Sequence, residues 1–69
     1  MTKDYPLIRA WCKYVRATVR SRRNLIIEAR EDNAPHDAVC KREDKWVRIK
    51  DVKNKGMRTY LENEAKLWQ

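Results

Sequence analysis

One glycine serves all 69 residues. A glycine-rich phosphate loop needs several positions where bare backbone closes on its ligand, so that route to nucleotide chemistry is excluded. With only two prolines as well, tight-turn signals are few and the chain reads as largely helical. No apolar run approaches the roughly 20 residues that a membrane-spanning helix requires. The first residues, Met1–Tyr5, lack the basic-then-apolar plan of a secretory leader, which predicts an intracellular, cytoplasmic protein.

Cysteine is scarce too. Cys12 and Cys40 are expected to be free thiols that act as small buried hydrophobes. If residues 36–40 were helical, His36 and Cys40 would share one face, and with Cys12 and Asp37 they are the one set that resembles a zinc site. The paired Cys-x-x-Cys of ordinary zinc modules is missing, so no metal or cofactor is expected. His36 has no obvious nucleophile partner, and adjacent acids occur only as Glu31-Asp32 and Glu43-Asp44. No catalytic set emerges, and an enzyme is not expected.

What the chain does have is charge. Charged residues make up 39%, against about 25% in ordinary globular domains. The formal net charge is +7 and the pI about 9.8. Residues 1–69 form a single small basic domain, whose core is marginal because so short a chain buries only about 60% of its unfolded surface. Self-association as a homodimer would relieve that. Three Trp and three Tyr argue against disorder.

Arg9, Lys13, Arg16, Arg20 and Arg23 recur at steps of four and three, which places them in one helical stripe about 80° wide. Ile8, Trp11, Val15, Thr18, Arg22, Leu25 and Ala29 follow the same spacing on the other side. The predicted fold is therefore mainly α: one long amphipathic N-terminal helix, from Asp4 as cap and Pro6 in its first turn to about Ala29 or Glu31, packed with a shorter second segment and a C-terminal helix. Arg22 on the apolar seam is a defect in this reading. The alternative is a turn at Ser21–Asn24 followed by a short strand at Leu25–Ile27. Asp32-Asn33-Ala34-Pro35 ends the helix.

His36–Asp44 is expected to form two or three helical turns. Val47 and Ile49 alternate with Trp46, Arg48 and Lys50, which favours an extended stretch. Lys53-Asn54-Lys55-Gly56 reads as a turn, and Met57, Leu61, Ala65 and Trp68 then return to helical spacing, with Trp68 closing the core. A competing reading pairs 46–52 with 57–61 as a short β-hairpin, like the wing of a winged helix.

The basic stripe carries the functional expectation. A guanidinium grips phosphate with two parallel hydrogen bonds, and a row of them tracks a backbone or lies in a major groove. The expected nucleic-acid contacts are Arg9, Lys13, Arg16, Arg20, Arg22 and Arg23. A second set is Lys45, Arg48, Lys50, Lys53, Lys55 and Arg58, within a run that begins at Lys41 and Arg42 and is diluted by nearby acids. Among the stripe positions there is no Asn or Gln to read base edges, and Asn24 and Asn54 are the nearest, so binding to DNA or RNA should be electrostatic and weakly sequence-selective. Trp46 among cations is expected to pack in the core, with base stacking as the alternative. The other functional expectation is a basic modulator or inhibitor that docks on an acidic protein surface of a larger enzyme or transcription complex. A membrane surface is the least favoured partner, since the second half would then have no role.

Overall fold

The computed structural model describes residues 5–68. Three helices, α1 (Pro6–Tyr14), α2 (Val19–Glu31) and α3 (Lys55–Leu67), surround a two-stranded antiparallel hairpin, β1 (Ala38–Arg42) and β2 (Lys45–Arg48). A short 3-10 turn, Ile49–Asp51, links β2 to α3. The fold is thus mainly α with a short hairpin, as the composition implies, although the hairpin lies at 38–48 and not around 46–61. No helix among the described residues is long and apolar enough to cross a membrane.

α1 is the central element and touches α2, β1 and α3. Ile8 and Cys12 face one apolar cluster, with Tyr5, Ile26, Ala29, Ala34 and Ala38. Leu7 and Ala10 face another, with Val39, Cys40, Ile49, Val52 and Leu61. Trp11 packs against both, which leaves Arg9, Lys13 and Tyr14 exposed. Pro6 sits in the first turn, where its missing N–H costs nothing. Asp4, the expected cap, lies outside the described residues.

The long N-terminal helix is not formed. α1 ends at Tyr14 because Arg16 turns left-handed, with φ 58°. Ala17 N–H then donates to Cys12 O at 2.7 Å and Arg16 N–H to Lys13 O at 3.2 Å, which satisfies the last carbonyls in a Schellman arrangement. Thr18 caps the next helix, its Oγ1 accepting from Ser21 N–H at 3.1 Å. The two halves of the seam face each other across one cluster instead of running end to end.

α2 stops where the sequence says it should. Asn33 takes the left-handed position at φ 53°, and Ala34 N–H reaches back to Ala29 O at 2.9 Å. Tyr5 donates its hydroxyl to the same Ala29 carbonyl at 3.1 Å, tying the start of α1 to the end of α2.

Residues 38–42 form a strand where helical turns were expected. Glu43 and Asp44 both have positive φ, 48° and 63°, which makes the two-residue connection a type I′ turn that closes the hairpin with the strands' own twist. The register shifts between Ala38 and Cys40, leaving Val39 as the extra residue of a bulge. Ala38, Val39 and Cys40 are all buried in consequence, so the strand shows none of the alternation by which strands are recognised.

Lys53–Gly56, read as a turn, is the start of α3. Asn54 is its cap and accepts from Met57 N–H at 2.9 Å. Gly56 lies inside the first turn of the helix and does not take a positive φ. The final turn runs past the core, so Trp68 is 50% and Leu67 77% exposed, and Trp68 does not close the core.

Candidate nucleic-acid interface

Breaking the rod splits the predicted stripe. Arg9 and Lys13 stay on α1, Arg16 sits in the connection, and Arg20, Arg22 and Arg23 belong to α2. The fold then regroups some of them. A groove of about 380 Å³ is lined by Arg9 from α1 and by Arg22, Arg23 and Arg30 from α2. Its apolar part is Val19, Ile26 and Ile27. The α2 members follow steps of three and one through 19, 22, 23, 26, 27 and 30, so they form one face beside the face that α2 buries.

That face is open and positive. Val19 is 61% and Ile27 46% exposed, set among arginines. No carboxylate among the described residues pairs with Arg20, Arg22, Arg23 or Arg30. Arg22, which looked misplaced on the apolar seam, is half-buried and lines the groove. It also lies close enough to Cys12 to oppose the effect of burial, which pushes that thiol above its ordinary value. Arg30, which extends the basic surface at a spacing of seven from Arg23, lines the groove as well.

The second basic run fares differently. Arg48 is engaged, its Nε donating to Asp37 Oδ1 and Oδ2 at 2.9 and 3.0 Å. Arg58 donates to the carbonyl of Val52 at 3.3 Å and braces the entry to α3. Lys41 is held by Asp32 at 2.9 Å and by Glu28 at 3.6 Å. Lys50 and Lys55 are exposed, and Lys45 and Lys53 line a separate groove with Arg42. The twelve expected contacts are therefore not one surface.

Trp46 packs against the first cluster and donates its indole N–H to Asp32 Oδ2 at 3.1 Å. Lys41 Nζ lies 5.6 Å from its ring centroid. Hydrogen bonds from Lys41 and Trp46 hold the Asp32 carboxyl below the usual carboxylate range, and the Asp32 contact raises Lys41 in turn. Asp32 thus joins α2 to both strands of the hairpin.

The zinc reading loses its geometry. His36 precedes β1 in a turn, so it does not share a helical face with Cys40. Cys12 and Cys40 are both buried free thiols, and burial raises the Cys40 thiol as well. No group of three potential ligands is assembled among the described residues.

No protein-family model, curated protein or solved structure matches this chain.

Proposed function

We propose that this protein is a small DNA-binding regulator that presents α2 to duplex DNA. One observation carries the reading: four residues after α1 (Val15–Thr18), α2 exposes an arginine face that no carboxylate among the described residues pairs with. That connection length is typical of a helix-turn-helix, whose second helix enters the major groove. Arg16 occupies the left-handed position where such turns often place glycine.

In this reading Arg20, Arg23 and Arg30 make phosphate contacts, helped by Lys13 and by Arg9 and Arg22 at the groove. Asn24 is exposed in the first half of α2, where recognition helices meet base edges. Val19 and Ile27 offer methyl groups to thymine. Most of the affinity is electrostatic, so selectivity between sequences is weak.

Binding to a generic duplex should fall steeply as salt rises. Replacing Arg20 or Arg23 by Gln should each reduce the slope of log K against log salt by about one. Fluorescence anisotropy across a salt series measures this. A slope unmoved by both substitutions, or no binding at low salt, removes the proposal.

A further inference from the structure

A second groove, of about 550 Å³, lies between the hairpin, α1 and the start of α3. It shares no lining residue with the arginine groove. We propose that it docks an acidic segment of a partner protein, which inserts one or two apolar side chains and sets carboxylates against the rim.

The groove differs in kind from the α2 face. Its walls are Trp11, Trp46, Cys40, Val47, Val52 and Met57, a patch made of two indoles, aliphatic groups and two polarizable sulfurs. Around these stand Arg42, Lys45 and Lys53, with Asp51 as the one acid. The Arg42 guanidinium carbon lies 6.0 Å from the Trp11 ring centroid, so this cation is already placed over the aromatic wall. The volume falls in the range of about 300–1,000 Å³ that holds a compact ligand or a few side chains.

A phosphate backbone matches such a lining poorly, because it has no apolar group to lay on Val47, Val52 and Met57. An acidic segment with an aromatic or leucine anchor matches both parts. Buried apolar area supplies the hold, and the three cations supply orientation and attraction. The two partner classes that net charge leaves open are thereby assigned to two surfaces, DNA to α2 and an acidic protein segment to this groove. The inference does not depend on DNA binding, and each site has variants that spare the other.

The probe is a short fluorescein-labelled peptide of Asp and Glu around one Trp and two Leu, titrated against the full chain by anisotropy. Controls are a Lys-rich peptide with the same apolar residues and a single-stranded oligonucleotide. Lys45 and Lys53 are exposed, so Lys45→Glu with Lys53→Glu leaves the core intact, and circular dichroism verifies folding. The acidic peptide is expected to bind, and to lose about tenfold in affinity in that variant as rim attraction turns to repulsion. It should bind the Arg20→Glu, Arg23→Glu protein within about twofold of the original, since those charges lie outside the groove. Equal binding of the Lys-rich peptide overturns the proposal, as does indifference to the Lys45 and Lys53 changes. Absence of binding does the same. Displacement by the oligonucleotide with loss in the Lys45/Lys53 variant would assign the groove to single-stranded nucleic acid instead.

Discussion

α2 and the hairpin both carry many cations, yet acids engage two of the hairpin's, Lys41 and Arg48, and none of α2's arginines among the described residues. On α2, Arg20, Arg23 and Arg30 meet no carboxylate among the described residues. On the hairpin, Lys41 is held by Asp32 and Glu28, and Arg48 by Asp37. The acids that occupy Lys41 belong to the end of α2 itself. Glu28 lies about 140° around that helix from Arg23, so it turns toward the hairpin and away from that arginine. The fold thus draws Glu28 and Asp32 to the hairpin, while Glu31 stays beside the basic face. A local count of charges, which sees Glu28, Glu31 and Asp32 beside Arg30, predicts the reverse.

The largest expected effect tests this contrast directly. Arg20→Glu with Arg23→Glu should weaken duplex binding at low salt by about a hundredfold, whereas Lys41→Gln should change it less than about threefold. If the two variants behave alike, pairing does not decide which cations bind. The same hairpin cations should instead register in stability. Lys41→Gln or Arg48→Gln is expected to lower the urea midpoint slightly, since exposed ion pairs contribute little.

The backbone offers an intermediate effect. Arg16→Gly should stabilise the protein by about 1 kcal/mol, because a left-handed position penalises any residue with a Cβ. The joint change Glu43→Asn, Asp44→Gly should act similarly on the hairpin turn. Arg16→Gly also removes a cation. A protein that melts later yet binds duplex DNA only slightly less well would separate the structural role of this residue from its charge.

The smallest effect is in pH. The folded-state pKa of Asp32 is depressed, so its contribution to stability is present above the ordinary carboxylate value and is lost as pH falls through the lower folded value. Lys41 is raised, so its contribution is present below the ordinary lysine value and is lost as pH rises through the higher folded one. Asp32→Asn should flatten both limbs of a stability–pH curve measured by thermal melting. Both groups are solvated, so the changes will be small. An acid limb unchanged in Asp32→Asn would show that other carboxylates produce it.

Helical content was legible because glycine and proline are so few. The end of α2 was legible because Asn33 and Pro35 are strong local signals. The start of α2 was not. Thr18 fell on the apolar seam and looked like a weak core residue, while it is a helix cap. Arg16, Glu43 and Asp44 adopt positive φ without being residues that advertise it, and the chain's one glycine is helical. Of the four described residues with positive φ, only Asn33 is of a type that signals it. Among the expected contacts, Arg20, Arg22 and Arg23 fall together on α2, and Arg9 rejoins Arg22 and Arg23 at the groove. Arg48 and Arg58 were indistinguishable from them until Asp37 and the Val52 carbonyl were placed.

Taken alone, the order of amino acids determined that this chain is basic, helix-rich and apolar at three- and four-residue intervals, since these follow from residue type and the pitch of a helix. Where the rod folds, which acids meet which bases, and that two separate grooves result were decided by packing. Burying Ile8 and Cys12 against Ile26 and Ala29 requires the chain to reverse at Arg16. No local preference at that residue encodes such a reversal.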